Sequence, residues 1–133
     1  MLQLKLLSSR SEAGNIKSFV FDSGGLTWLA GQNQAFVLPQ AGSAEADNLR
    51  WFTLASAPSE GVVQVSTRIG PSAFKQALDR LQPGERIGVR DLDGDFTWEE
   101  TSATPVVLVA GGSGVTPFRS MLMERHARGK PLN

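Results

Sequence analysis

The chain has 133 residues, and its 13 lysine and arginine residues balance 13 aspartate and glutamate residues, so the formal net charge is zero. The basic residues form no run, which argues against nucleic-acid or anionic-membrane binding. The absence of cysteine excludes disulfides, a thiol nucleophile and cysteine-ligated iron–sulfur clusters. No apolar stretch reaches the roughly 18 residues of a membrane span, and no signal-peptide pattern is visible, so we expect a cytoplasmic location.

The first hundred residues are typical of short strands separated by turns. Leu2, Leu4 and Leu6 alternate with polar residues, which indicates a half-buried strand. Residues 40–48 are small and polar, which predicts a surface loop. Strands are predicted at residues 2–6, 16–21, 35–38, 51–54, 63–69, 87–89 and 95–98, with turns at residues 22–25, 58–61 and 91–94. This pattern predicts an antiparallel barrel or sandwich.

One helix interrupts the strands. Ser72 is a suitable N-cap for it, and Pro83 with Gly84 ends the pattern. Between them, an apolar stripe recurs at helical spacing and consists of Phe74, Ala77, Leu78 and Leu81. We therefore expect an amphipathic helix whose stripe packs on the core.

The pattern changes after residue 104. Residues 106–110 form a continuous apolar run, which predicts a strand covered on both faces. Residues 111–117, here called the glycine turn, lead into a helix with Thr116 as its N-cap. This is the opening of a parallel α/β unit, so we expect the sequence to belong to a longer protein. The predicted domains are residues 1–104 and residues 105–133.

Residues 50–53, here called the first motif, combine a cation, an aromatic ring and a hydroxyl on one predicted strand. A guanidinium suits phosphate, and an aromatic face beside a hydroxyl suits a flat polar ring. Strand alternation puts Arg50 and Phe52 on one face and Thr53 on the other, so one ligand could touch all three only at a local bend. Taken alone, the motif equally fits an ordinary strand with an edge arginine and core aromatics.

Two further stretches suit phosphate-bearing groups. Ser72 and the backbone of Ala73 form an anion site at a helix N-terminus, with Arg68 nearby in sequence, although a simple capped helix explains this stretch as well. In the glycine turn, Gly112 and Gly114 approach the dinucleotide-binding fingerprint, but a proline replaces its third glycine. A plain strand-to-helix turn would not need these glycines.

In order and spacing, the first motif and the glycine turn resemble those of the ferredoxin–NADP reductase superfamily, whose members pass hydride between NAD(P)H and a bound flavin. Phe52 stands where the superfamily more often has tyrosine. The resemblance covers residues 1 to about 128. It implies a mainly β fold, namely a six-stranded antiparallel Greek-key barrel with one helix, followed by the first β–α unit of a Rossmann-like α/β domain.

The resemblance also implies a role for each matching residue. Arg50 would pair with the phosphate of a flavin nucleotide, Phe52 would stack on the isoalloxazine, and Thr53 would hydrogen-bond the flavin N5 region as the catalytic residue. Trp51, at the variable position, is either a core residue or an adenine contact. The other implied cofactor-binding residues are Ser66, Thr67 and Arg68 along the flavin chain, Ser72 and Ala73 at the pyrophosphate, and Gly112, Gly114 and Thr116 beside the pyridine nucleotide and the flavin edge.

The implied function is FAD binding, with FMN less suited, and electron transfer from NAD(P)H to a redox acceptor, either a protein or a small molecule. This activity would need the rest of the nucleotide domain, from a longer chain or from a partner subunit. A second possibility is a non-catalytic flavin-binding or interaction module without its own nicotinamide site. A third is an empty barrel that acts as a scaffold, which would be colourless.

No metal site is expected from the sequence. Asp91, Asp93 and Asp95 lack the glycine and glutamate spacing of an EF-hand loop and indicate a turn. His126 is the single histidine and stands among charged residues of the predicted second helix, so we interpret it as a solvent-facing residue.

Overall fold

Six β-strands make up most of the computed structural model, which describes residues 1–99 and 104–132. Three α-helices and three short 3-10 turns accompany them in this part of the chain. The strands are β1 (Leu2–Ala13), β2 (Ile16–Asp22), β3 (Asn33–Val37), β4 (Leu49–Thr53), β5 (Val62–Arg68) and β6 (Arg86–Asp93). The helices are α1 (Glu45–Asn48), α2 (Ala73–Arg80) and α3 (Thr116–Ala127), and the 3-10 turns are Pro39–Ala41, Pro58–Glu60 and Gly112–Val115.

The strands form one antiparallel sheet in the order β4-β3-β6-β1-β2-β5. The two outer strands of this order meet, because the backbone that follows β4 bonds to β5. The Ala55 amide donates to the Gln64 carbonyl at 2.8 Å, and the Gln64 amide donates to the Ser56 hydroxyl at 2.9 Å. The sheet therefore closes into the barrel that the sequence predicted.

The barrel interior holds the hydrophobic core, and α2 packs against it. Phe19, Phe21 and Phe36 are fully buried in the strands. The predicted apolar stripe of α2 is confirmed, since Phe74, Ala77, Leu78 and Leu81 are all buried. The Ser72 hydroxyl accepts a hydrogen bond from the Lys75 amide at 3.3 Å, which confirms the N-cap. An ion pair between Lys17 and Asp79, 2.6 Å long, also ties α2 to β2.

The sixth strand differs from the prediction. The sequence predicted two short strands at residues 87–89 and 95–98 with a turn between them, whereas β6 runs unbroken to Asp93 and residues 95–98 form no strand. The reason is pairing with β3, which continues to the Asn33–Asp93 pair and holds the turn-forming residues in the sheet. The expected bend remains as an irregularity inside the strand, where Asp91 has a φ of 58°.

The predicted loop at residues 40–48 is also more ordered than expected, because it contains the single helical turn α1 and the end of a 3-10 turn. Asn48 stabilises this segment by accepting a hydrogen bond from the Gly42 amide at 2.9 Å. Its side chain thus supplies a local bond that periodicity does not reveal.

The predicted strand at residues 106–110 is absent. Val107 and Val109 are 85% and 83% exposed, and no residue from 105 to 111 has strand structure. A strand requires a hydrogen-bonding neighbour, and the described part of the chain provides none beside this run. The boundary proposed after residue 104 stays a prediction, and residues 100–103 next to it lie outside the described ranges.

The helix predicted after the glycine turn is confirmed as α3, but its N-cap is not the predicted one. Thr116 lies inside the first turn with φ −58° and ψ −44°, and Val115 holds the cap position. The Thr116 hydroxyl instead donates to the Ser113 carbonyl at 2.9 Å, because the preceding residues already wind as a 3-10 turn. His126 is exposed, as predicted. None of the described helices is long and apolar enough to cross a membrane.

Candidate functional site

A cleft of about 290 Å³ separates the barrel from the start of α3. It is formed by the end of β4, the end of β5 and the glycine turn, so it joins the two motifs that the sequence singled out. Six predicted site residues line it: Phe52, Thr53, Ser66, Thr67, Gly114 and Thr116. Its other lining residues are Trp51, Ser113 and Pro117.

The β4 wall of this main cleft has the local bend that the first motif required. Up to Thr53 the strand pairs with β3, but immediately afterwards the Leu54 amide bonds to Gln32 and the Ala55 amide bonds to Gln64 of β5. This change of partner lets residues from both faces of the strand reach the cleft. Phe52 lines it while its ring packs 5.8 Å from Phe36 in the core, measured between centroids.

The β5 wall is polar. The hydroxyl oxygens of Ser66 and Ser18 lie 2.7 Å apart and hydrogen-bond each other. Thr67 is nearly buried, and its hydroxyl lies 3.4 Å from the carbonyl oxygen of Arg68. The cleft therefore has hydroxyl groups on a wall that faces aromatic side chains, which suits a flat ligand with a polar edge.

The glycine turn forms the third wall. Gly112 has a φ of 57°, a conformation that favours glycine. A β-carbon added to Gly114 would meet no atom within 4 Å, so the backbone there borders open space. A second cleft of about 300 Å³ lies alongside and shares Ser66, Ser113 and Thr116 with the main cleft; Gly112 lines this second cleft.

Arg50, Ser72 and Ala73 lie outside both clefts but near each other. The Arg50 guanidinium is 5.9 Å from the centroid of Phe74, which belongs to the first turn of α2 after Ser72 and Ala73. Nη1 of Arg50 donates to the Ala46 carbonyl at 2.6 Å and to the Leu49 carbonyl at 2.8 Å. The predicted phosphate-binding residues thus form a neighbourhood of their own around the start of α2.

Arg68 is the predicted site residue that the structure leaves apart from both groups. Its side chain is exposed, and its Nη1 lies 3.4 Å from Asn15 Oδ1 at the turn between β1 and β2. In strand β5 its direction alternates with that of Thr67, which lines the main cleft.

Trp51 was predicted to be either a core residue or an adenine contact, and it is not a core residue, because it is 46% exposed and lines the main cleft. One feature close to the site was not predicted from the sequence, and it is an ion pair made by α3. Arg119 of α3 binds Glu60 through two contacts, Nη1–Oε2 at 2.8 Å and Nη2–Oε1 at 3.0 Å. The hydrogen bond from Arg119 lowers the pKa of Glu60 below its ordinary value, and the same bond raises the pKa of Arg119.

Comparison with known proteins identifies the family, although no protein-family model matches the chain. A ferredoxin–NADP reductase B from Sorangium cellulosum is 36% identical over 113 residues, which cover 84% of this chain and 42% of that protein. A flavohemoprotein from Bordetella pertussis is 30% identical over 136 aligned positions, covering 93% of this chain and 33% of that protein. The chain belongs to the ferredoxin–NADP reductase superfamily.

Solved structures share the superfamily fold. The flavohem-like FAD/NAD binding domain of nitric oxide dioxygenase from Vibrio cholerae superimposes with a TM-score of 0.81 at 21% identity, over 96% of this chain and 58% of that domain. The superfamily relatives are much longer than this chain, which spans less than half of either curated relative. The structural superposition establishes the ferredoxin–NADP reductase fold for the barrel. Because the chain spans only part of its relatives, the activity of a whole superfamily member is a proposal for this chain.

Proposed function

We propose that the chain binds FAD in the main cleft and serves as the flavin-binding part of an NAD(P)H-dependent oxidoreductase of ferredoxin reductase type. The main support is the cleft itself, where Phe52 and Thr53 of the first motif meet Gly114 and Thr116 of the glycine turn. The Sorangium cellulosum relative, named as a ferredoxin–NADP reductase, adds support for the class of reaction. In this proposal residues 1–104 form the FAD-binding domain and residues 105–133 begin the NAD(P)-binding domain.

The lining of the main cleft fits an isoalloxazine. Trp51 and Phe52 offer aromatic surface, and a flat conjugated ring packs well on such surface. The hydroxyls of Thr53 and Ser66 can meet its polar edge. The open space beside Gly114 admits a second flat group close to the first, as a nicotinamide would require.

The neighbourhood around the start of α2 fits the phosphates. Arg50 uses Nη1 for both of its bonds to backbone carbonyls, and a phosphate oxygen is a stronger acceptor for a guanidinium than a carbonyl. The first turn of α2 adds backbone N–H groups at Ala73 and Phe74. A diphosphate can bind Arg50 with one phosphate and the first turn of α2 with the other, whereas the single phosphate of FMN needs only one of these positions. This arrangement favours FAD over FMN.

In the proposed mechanism a flavin held in the main cleft would supply the redox chemistry, namely hydride transfer from NAD(P)H and electron transfer to an acceptor. The protein holds the reacting groups in place. Phe52 would hold the ring by stacking, and the Thr53 hydroxyl would donate a hydrogen bond to the N5 region. The open space beside Gly114 would allow the nicotinamide to approach closely, and positioning of this kind supplies much of the rate advantage. The acceptor is a redox protein or a small molecule.

Titration of the purified chain with FAD and FMN, followed by flavin absorbance and fluorescence, tests this function. FAD should bind more tightly than FMN. Gly114→Val should weaken binding because its side chain occupies space in the cleft, whereas Ala127→Val at the exposed end of α3 should not. Failure to bind either flavin would overturn the proposal. Binding without anaerobic reduction by NADH or NADPH would instead support a flavin-binding module that depends on further sequence for its nicotinamide site.

A further inference from the structure

Two hydrogen bonds attach α3 to the segment that directly follows Thr53. Arg119 Nη1 donates to the Ala55 carbonyl at 2.8 Å, and the Ser120 hydroxyl donates to the Ser56 carbonyl at 2.8 Å. Both carbonyls belong to the stretch after β4 where the backbone changes its bonding partner from the β3 side to β5. The helix that follows the glycine turn is therefore bonded to the same backbone that carries the end of the first motif.

The Arg119–Glu60 pair reinforces this attachment. Glu60 is itself held in place, because its Oε2 accepts the Ala57 amide at 2.6 Å as well as Nη1 of Arg119. The two side chains are 34% and 23% exposed, so water screens the pair less than a surface ion pair. A two-contact arginine–carboxylate pair also fixes orientation, because the guanidinium fork accepts only one approach.

The position of this pair relates two of the three walls of the main cleft, namely β4 and the glycine turn. Arg119 lies one helical turn after Thr116, and the carbonyl that it binds at Ala55 lies two residues after Thr53. Apolar contacts hold another face of α3, where Met121 is buried and would meet a β-carbon placed on Gly31 at 2.7 Å. Residues 119 and 121 point roughly 200° apart around a helix, so together they fix its rotation.

Resting on the proposed function, we propose that the Arg119–Glu60 pair is a positioning device that sets the separation between Thr53 and the glycine turn. The pair does not touch the flavin. It holds Thr116 and Gly114 at the distance from β4 at which a flavin ring fits between them. Glu12 also interacts electrostatically with Arg119, but the direct contacts of Arg119 with a carboxylate are those with Glu60.

The distance between the barrel and α3 can be measured without flavin. Because the chain has no native cysteine, spin labels attach only to cysteines that are introduced. Spin labels attached at S11C on β1 and H126C on α3, both exposed positions, report the distance between barrel and helix by pulsed electron paramagnetic resonance.

Three variants are compared in this labelled background. Glu60→Gln removes the carboxylate charge, Arg119→Lys keeps the positive charge but loses the guanidinium fork, and E60R/R119E exchanges the two charges. Asp79→Asn is the matched control, because it breaks an ion pair of similar exposure between β2 and α2.

We expect Glu60→Gln and Arg119→Lys to broaden the distribution of distances between the two spin labels. Both variants should also raise the dissociation constant for FAD on the order of tenfold. The visible circular dichroism of the bound flavin should decrease. Charge exchange should restore part of each signal, and Asp79→Asn should change none. Unchanged distances in both single variants would overturn the positioning role. Broadened distances with unchanged FAD affinity and dichroism would overturn its link to the flavin. Absence of FAD binding by the unmutated chain would reject the proposed function, whereas the distance measurement would still report on the pair.

Discussion

The guanidinium of Arg50 lies 5.9 Å from the centroid of the Phe74 ring, and this contact joins the first motif to the start of α2. Phe74 in turn packs against Phe52, with ring centroids 5.9 Å apart. The aromatic residue of the first motif and its arginine therefore meet at one buried ring. Through this ring, the proposed phosphate neighbourhood and the main cleft share a rigid support.

Arg50→Ala should weaken FAD binding by about 1.5–3 kcal/mol, the range for a hydrogen bond to a charged group. The reason is the loss of the charged partner of a phosphate. Fluorescence titration with FAD measures this, with Arg86→Ala at the exposed first position of β6 as the control. An unchanged dissociation constant would show that Arg50 has only its structural bonds to Ala46 and Leu49.

Thr53→Val should slow reduction of the bound flavin by NAD(P)H about fivefold, since one hydrogen bond of about 1 kcal/mol is removed from the reacting edge, while FAD affinity changes little. Valine preserves the shape of threonine without its hydroxyl. Stopped-flow absorbance measures the rate in a form of the protein that NAD(P)H reduces. Thr27→Val at an exposed turn is the control. Equal rates for Thr53→Val and the unmutated protein would remove Thr53 from the mechanism.

Gly31→Ala should destabilise the chain by roughly 3 kcal/mol or more, because steric strain adds to an unfavourable backbone conformation. A β-carbon there would lie 2.0 Å from the Phe96 carbonyl oxygen, and Gly31 has a φ of 105°. Gly25→Ala is a matched control: its φ is 87°, but a β-carbon would meet no atom within 4 Å. It should cost about 1–2 kcal/mol. Urea unfolding compares the two, and equal losses would contradict the contact between this turn and residue 96.

Acid should weaken the Glu60 contribution to stability. The hydrogen bond from Arg119 holds the pKa of Glu60 below its ordinary value of 4.5, so the stabilisation is fully present above that pH and is lost as the pH falls through the lower folded value. Unfolding free energies measured between pH 6 and pH 3 should therefore decline less steeply in Glu60→Gln than in the unmutated chain. Glu124 has a lowered pKa too, because hydrogen bonds from Ser59 and Arg128 outweigh the effect of burial, so a residual slope should remain. Identical slopes in both proteins would contradict the assignment.

Most of the barrel could be predicted, because the apolar–polar alternation of a strand and the N-cap of a helix depend on residues that are close together in the sequence. The apolar stripe of α2 and its Ser72 cap follow directly from the order of residues. The errors arose where a distant partner decides the outcome. Pairing with β3 holds residues 91–93 in β6 despite their turn-forming character, whereas no residue within the ranges 1–99 and 104–132 pairs with residues 106–110 to make them a strand.

The part of the candidate site formed by the two sequence motifs could be predicted. The first motif and the glycine turn do meet at one cleft, as their resemblance to the superfamily implied. The bend after Thr53 was required by the chemistry, but only the change of partner from β3 to β5 explains it. The Arg119–Glu60 pair could not be predicted, because 59 residues separate its members and neither position follows a recognisable pattern.

The three residues after Thr53, here called the seam, make several structural contacts within a short length of backbone. Ala55 and Ser56 close the barrel, accept bonds from α3, and, at the Ser56 carbonyl, accept the Trp28 indole at 3.2 Å. An insertion or deletion of even one residue in this seam would shift every one of these partners out of alignment. Variation in length among related proteins should therefore accumulate in open turns such as that at Gly25, and a peptide tag or circular permutation is better placed there than beside the seam.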